Sequence, residues 1–310
     1  MENRYRIHVY LRPLPLLVNS HSNTPRRVLV VGADGSLGRA LADACSREGD
    51  IVLETTRRTA PCPPHRIVMD LSHPERFPIF SQPLDITFLC AGIANLATCE
   101  KNPTGTSLIN VDNTVAFVQS LIATGSWVVF LSTNLVFDGS LPERTADTLP
   151  SPTCEYGRQK ARAEKRLLTI GPSVAVLRQT KVVHPDTEPF STWYQALSEG
   201  KSVEAFTDKV CAPLSIQSTV TLLLALARKR PGGVLQASAS RDLTYAEAAT
   251  ILAQHAGSDS KQVRPVLGKE QGIPDFFLPR HTTLETSRQI KDLGWVPPEP
   301  EKALLEGLQR

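Results

Sequence analysis

Residues 26–49 read RRVLVVGADGSLGRALADACSREG, and the glycines at 32, 35 and 38 constrain the fold more than any other feature of the chain. Four apolar residues, 28–31, run straight into Gly32, and an apolar helical period follows through Leu37, Leu41 and Cys45. A strand ending in glycine can turn sharply, because glycine tolerates positive φ. Gly35 then lets backbone N–H groups approach a diphosphate, and Gly38 permits close packing of helix on sheet. Near Ser36 and Leu37 the new helix offers unpaired N–H groups and the positive end of its dipole, both suited to an anion. Three glycines alone are a weak sign; their place on a first strand before a helix makes them a strong one.

The rest of the chain repeats the alternation. IVLETT, RIVMDL (66–71), DITFLC (85–90), WVVFLS (127–132) and VAVLRQT (174–180) read as strands. Helices are expected around TSLINVDNTVAFVQSLIAT and YGRQKARAEKRLL. Apolar strands separated by helices imply an α/β fold with a doubly wound parallel sheet, the Rossmann arrangement. After about residue 183 the regularity fails, and Pro, acids and aromatics mix around one helix near 190–198. IQSTVTLLLALARKR (216–230) and GGVLQAS resume the pattern, and TYAEAATILAQHAG (244–257) is a helix opened by a Thr cap with Glu247 three residues on. We therefore expect a flexible extension at 1–26 and a dinucleotide-binding domain at 27–183, completed by about 211–240. A smaller C-terminal lobe for substrate takes 184–210 and 241–310. Phe190, Trp193, Tyr194 and Phe206 in that lobe read first as core and second as a surface for a nucleobase or an apolar pocket.

Composition excludes several classes. The net charge is +3, of which Arg4, Arg6, Arg12, Arg26 and Arg27 against Glu2 place about +4 in the first 27 residues. The body is thus nearly neutral, with no bulk electrostatic pull toward nucleic acid. Six cysteines (Cys45, Cys62, Cys90, Cys99, Cys154 and Cys211) form no CxxC pair or Cys/His cluster, so reduced thiols in the cytoplasm are the simpler expectation than zinc or disulfides. No apolar run reaches membrane-spanning length, and no membrane partner is expected.

The second strand ends in ETTRR. A carboxylate there would bind the 2′-OH of NAD(H), whereas a 2′-phosphate needs a cation. Thr56 is expected where the acid would stand, with Arg57 and Arg58 just beyond, so the reading is NADP(H) ahead of NAD(H). Glu54 remains an acid within reach of a ribose, and Asp70 with Leu71 is placed to meet an adenine.

SPTCEYGRQKARAEK (151–165) puts Tyr156 and Lys160 one helical turn apart on one face. An ammonium near a phenol favours the phenolate and lowers its pKa, letting Tyr156 pass a proton to or from a substrate oxygen. Upstream, FLSTNLVFDG ends a strand in Ser132 and Thr133, hydroxyls able to hold that oxygen.

Together these stretches resemble the extended short-chain dehydrogenase/reductase family. They are most similar to its dTDP-4-dehydrorhamnose reductase branch, the sugar-nucleotide 4-ketoreductases, over residues 27–308. The likeness rests on VLVVGADGSLGRAL, DLSHPE, CAGIANLATCEKNP, INVDNT, FLSTNLVFDG, YGRQKARAE, VLRQTKVV and the late TTLETSRQIKDLGWVPP. It implies Thr133 as the ligand of the substrate oxygen, Ser132 as second candidate, Tyr156 as acid and Lys160 as its ribose-binding partner. Cys90, Ala91 and Gly92 would line the nicotinamide ribose. The implied reaction reduces a keto group of a nucleotide-activated deoxy sugar, and the likeness extends to a homodimer. Asn134 and Leu135 depart from the family's usual Asp-Tyr, which removes the acid that a dehydratase needs and leaves the sugar open. The loop ANLATCEK departs from the rhamnose enzyme as well, and no matched acidic set predicts a metal. The alternatives are a non-catalytic NADP-binding regulatory subunit, similar to the β subunit of methionine adenosyltransferase, a sugar-nucleotide epimerase, and a reductase of a non-sugar ketone.

Overall fold

The computed structural model describes residues 25–58 and 63–309. The N-terminal charge cluster up to Arg12 and Cys62 fall outside these residues.

The first strand, β1 (Arg27–Val31), leads through the glycine turn into α1 (Ser36–Arg47). There follow β2 (Ile51–Thr56), β3 (Arg66–Val68) and β4 (Ile86–Leu89). The expected strand over 66–71 is cut to three residues, a correction with a local cause. Only residues 54–56 of β2 pair with it, and beyond them the Asp70 carboxylate accepts from the Ser72 N–H and hydroxyl at 2.8 Å each, which bends the chain away.

Two short helices follow, α2 (Leu96–Lys101) and α3 (Pro103–Ser107), and the helix expected over 106–124 is built from the end of α3, a π-helical turn (Leu108–Asn113) and α4 (Thr114–Ala123). Then come β5 (Trp127–Thr133), a 3₁₀ turn (Asn134–Val136), α5 (Glu155–Leu168) and β6 (Val174–Gln179). The chain continues with β7 (Val182–Val183), α6 (Phe190–Ser198), β8 (Val203–Phe206), β9 (Val210–Cys211) and β10 (Leu214–Ser215). Next are α7 (Ile216–Lys229), β11 (Gly233–Ala237), β12 (Leu243–Thr244), α8 (Tyr245–His255) and β13 (Val263–Val266). Two short helices close it, α9 (Ser287–Leu293) and α10 (Pro300–Leu308).

Seven strands form one sheet in the order β11-β6-β5-β4-β1-β2-β3, and every pairing is parallel. Strand alternation sorts the core onto both faces. Val28 and Val30 of β1 pack with Leu41, Leu222 and Leu226 on the α1/α7 side, while Leu29 and Val31 pack with Phe117, Val118 and Leu167 on the α4/α5 side. The strand order reverses between β1 and β4, and in open α/β sheets a ligand crevice forms beyond the strand ends at such a switch.

The lobe is a third packing unit. Phe190, Trp193 and Tyr245 pack ring on ring at 5.3–6.0 Å, with Leu252, Val263 and Leu304 around them. Phe190 and Trp193 therefore serve as core and offer no face to a nucleobase. Its strands pair across long sequence gaps, β8 with β13 and β9 with β12, and α6 packs on α8. The capping box on α8 is formed as expected, with Glu247 N–H to Thr244 Oγ1 at 3.0 Å and the Thr244 N–H to Glu247 at 2.6 Å. Among the described residues no helix is long and apolar enough to cross a membrane.

Candidate active site

The crevice begins where β1 leaves the sheet. Gly32 has φ +89°, and a Cβ there would stand 2.9 Å from the Ala91 nitrogen at the end of β4. A Cβ at Gly38 would overlap the Gly32 carbonyl. Both positions need glycine so that the turn, the start of α1 and the end of β4 can meet. The N-cap of α1 is Gly35, which contributes no side-chain acceptor and leaves the first-turn N–H groups to whatever lies in the crevice.

Two cavities flank this turn and share Gly32, Gly35, Cys90, Ala91 and Gly92 as walls, forming one continuous groove. The wall at 91–93 is held by Asn110 on the π-helical turn. Its Oδ1 accepts from the Ile93 N–H at 2.8 Å, and its Nδ2 donates to the Ile93 carbonyl at 2.9 Å and to Gln159 at 2.8 Å. Reading the sequence did not single out Asn110, because only the fold brings it under that loop.

The outer cavity, about 330 Å³, is bounded by Asp34, Thr56, Arg57, Asp70 and Leu71. Thr56 takes the expected place, with its hydroxyl donating to Asp34 at 2.7 Å and accepting from the Arg58 N–H at 3.1 Å. Glu54 does not face a ribose: Arg66 binds it at 2.8 Å and draws it away. The acid in this cavity is Asp34, from inside the glycine turn, which the strand-end rule overlooks. Burial works to raise its pKa. The hydrogen bonds from Thr56 and the Arg57 backbone, with the charges of Arg58 and Arg66, outweigh that and hold it below the usual carboxylate value. Asp70 also sits below its ordinary value, chiefly through the Ser72 backbone hydrogen bond.

The inner cavity, about 380 Å³, brings together Ser36, Leu37, Cys90, Ser132, Tyr156 and Lys160. Ala94, Leu131, Gln179, Val182, His184 and Ile216 also line it, none of them foreseen as site residues, whereas the expected Thr133 is not among its walls. Cys154 caps α5 through its sulfur, and a Cβ at Gly157 would overlap the Leu135 carbonyl, so the helix starts pressed against the turn after β5. That contact sets Tyr156 beside the strand end.

Lys160 is 7% exposed, donates to the Leu131 carbonyl at 2.5 Å and lies 3.9 Å from the centre of the Phe130 ring. Burial lowers its pKa to about 8, against the opposing charges of Glu164 and Cys90. Tyr156 departs from expectation. Burial, with Cys99 and Cys154 adding, raises the phenol above its ordinary value, because the ammonium of Lys160 is turned to Leu131 and Phe130. Ser132 and Thr133 differ sharply. The Ser132 hydroxyl donates to Glu164, whose carboxylate also receives Arg178 at 2.8 Å, all three residues being buried. The Thr133 hydroxyl accepts from the Leu135 N–H at 3.2 Å, and its own acceptor, Asn134 Oδ1, is 3.4 Å away, so Thr133 keeps the freer proton.

Comparison with known proteins identifies the family. The model of the RmlD substrate binding domain matches residues 26–310. Among curated proteins, the chain is 26% identical over 298 residues to bovine (Bos taurus) methionine adenosyltransferase 2 subunit beta, covering 90% of this chain and 86% of that one. It is 26% identical over 250 residues to dTDP-4-dehydrorhamnose reductase of Mycobacterium tuberculosis, covering 77% and 79%. Among solved structures, the dTDP-4-dehydrorhamnose reductase of Bacillus anthracis in complex with NADP superposes with a TM-score of 0.79 at 18% identity, covering 92% and 99%. The chain belongs to the RmlD substrate binding domain family, a branch of the extended short-chain dehydrogenases/reductases whose reductases are NAD(P)-dependent oxidoreductases.

Proposed function

We propose that the chain reduces a keto group on a nucleotide-activated deoxy sugar with NADPH. The observation that carries this is the meeting of Tyr156 and Lys160 with the glycine turn and residues 90–92 around one cavity. The groove suits a dinucleotide: its two cavities meet at the Gly32–Gly35 turn, where a Cβ on Gly35 would touch only the Gly32 carbonyl at 3.5 Å, and the uncapped α1 terminus suits a diphosphate. Arg57 would hold a 2′-phosphate, with Asp70 and Leu71 beside the adenine and Cys90, Ala91 and Gly92 beside the second ribose.

When bound there, the dinucleotide supplies the hydride. The remaining steps belong to the protein. Thr133 donates a hydrogen bond to the carbonyl oxygen of the substrate, and Tyr156 gives that oxygen its proton. A phenol held protonated by burial is the form a reduction requires. Lys160 holds the ribose.

The test is NADPH oxidation with nucleotide-linked 4-keto sugars. Tyr156→Phe should lower turnover by about 10²–10⁴-fold, the usual worth of a general acid, while NADP⁺ binding stays within a few-fold. Full turnover in that variant would remove Tyr156 from the mechanism. The similarity to methionine adenosyltransferase 2 subunit beta over 90% of the chain favours a second reading, an NADP-binding regulatory subunit. Co-elution with a larger enzyme, without NADPH oxidation on any keto sugar, would decide for it.

A further inference from the structure

Gln159 lies on α5 between Tyr156 and Lys160, is fully buried, and takes no part in proton or hydride transfer. Its amide is bonded at both ends. Nε2 donates to the Thr106 hydroxyl at 2.8 Å, the Glu155 carboxylate at 3.1 Å and the Pro103 carbonyl at 3.3 Å. Oε1 accepts from Asn110 Nδ2 at 2.8 Å. These partners fix the direction of both amides. All three groups around Nε2 accept, because the Thr106 hydroxyl gives its own proton to the Asn102 carbonyl at 2.7 Å. At the other end the Ile93 N–H, at 2.8 Å, needs Asn110 Oδ1 as its acceptor. One directed chain of hydrogen bonds thus runs from the loop to the helix, from Ile93 through Asn110 to Gln159 and on to Thr106 and Glu155.

The chain joins two parts of the groove that are distant in sequence. Gly92 and Ile93 wall the outer cavity, and Gly92 walls the inner one as well. Gly92 is seated on Asn110, since a Cβ there would stand 3.3 Å from the Asn110 Oδ1. Tyr156 and Lys160 wall the inner cavity from α5. A buried amide bonded at both ends resists movement, because a shift of α5 against the loop would leave a donor or an acceptor without a partner and away from water. Asn110 holds the loop without help, through its two bonds to Ile93. What Gln159 adds is the register between that loop and the helix that carries Tyr156.

We propose that Gln159 is a positioning residue: acting through Asn110, it sets Tyr156 and Lys160 in register with a dinucleotide seated against residues 91–93. This rests on the reading of the groove as a dinucleotide site and of Tyr156 as the acid.

Two variants separate this role from mere packing. Gln159→Met keeps the length and loses both bonds; it should lower kcat about tenfold or more, with the Kd of NADP⁺ within about threefold, since Asn110 still holds the loop. Gln159→Glu buries a charge beside Glu155 and should have the lower Tm. It keeps an acceptor for Asn110, however, and should retain the higher kcat. A kcat that follows Tm, with the Met variant the more active, would reduce Gln159 to packing and overturn the proposal. Hydrogen exchange tests the same point without turnover, and its wild-type arm decides even where a variant fails to fold. Adenosine 2′,5′-bisphosphate matches the half of NADP⁺ assigned to the outer cavity, which Tyr156 does not line. Bound to wild type, it should slow exchange in both 91–95 and 155–160; bound to Gln159→Met, in 91–95 alone. Protection of 91–95 without 155–160 in wild type would refute the positioning role and leave the dinucleotide reading intact. A protein that binds neither the bisphosphate nor NADP⁺ would refute both.

Discussion

Glu164 sets how much positive charge the cleft retains. It stands one turn beyond Lys160 on α5, pairs with buried Arg178, and is the leading charge that opposes the burial of Lys160. Lys160 is charged below about 8 and neutral above it, so an activity that needs the ammonium should fall as pH rises through that value. Glu164→Gln removes the supporting charge, lets the ammonium deprotonate earlier, and should move the alkaline limb of kcat to lower pH. Loss of activity by one factor at every pH would mean that Glu164 only holds the fold, since it also leaves Arg178 without its partner. Asp34 acts at the other end of the groove. Its carboxylate, kept ionised by Thr56 and the neighbouring arginines, faces the region where a 2′-phosphate would sit. Asp34→Asn should therefore raise the NADPH:NADH preference by about tenfold, roughly 1.4 kcal/mol. Arg57→Ala should lower it. Kd values for both cofactors measure each, and equal changes for the two would place the phosphate elsewhere.

At the scale of elements, the placement of Tyr156 depends on how α5 docks onto the end of β5. Gly157 is the contact point, and an added methyl would meet the Leu135 carbonyl and Pro152. Gly157→Ala should cost about 1–3 kcal/mol, as overpacking does, and should lower kcat far more than NADP⁺ affinity because it displaces Tyr156. Urea midpoints and kcat report the two effects separately. Unchanged kcat would show that the Tyr156 position does not depend on this packing. The contrast between Gly157 and Tyr156 also marks what a sequence reveals. The glycine turn, the main strands, the α5 face and the α8 cap are local patterns, set by periods of two or 3.6 residues and by short-range hydrogen bonds, and they were legible. Asn110 under the 91–93 loop, Glu164 on Ser132 and Asp34 at the ribose end were not, because each acts on a residue that is distant along the chain or on the far side of a turn. The lobe's paired strands escaped notice for the same reason: β8 meets β13 across nearly 60 residues, and strands of two to four residues carry too little period to read.

On the scale of the whole molecule, the groove crosses the point where the sheet changes direction, and its walls come from β1, β2, β4, β5 and α5 together. A ligand filling it must stabilise those elements jointly, because it binds the folded arrangement and not the unfolded chain. At a concentration of 100 Kd that linkage is worth about 2.7 kcal/mol, or about 5–10 °C in Tm for a domain of this class. NADP⁺ should raise Tm by that order, with NAD⁺ at equal concentration giving less. A nucleotide sugar should add its own increment when NADP⁺ is already present, since the inner cavity is also walled by Val182 and His184 on the side away from the glycine turn. The order of addition separates the two readings of the chain. A regulatory subunit should show the NADP⁺ step and no sugar step, a reductase should show both, and a protein that shows neither would deny that this crevice is a dinucleotide site.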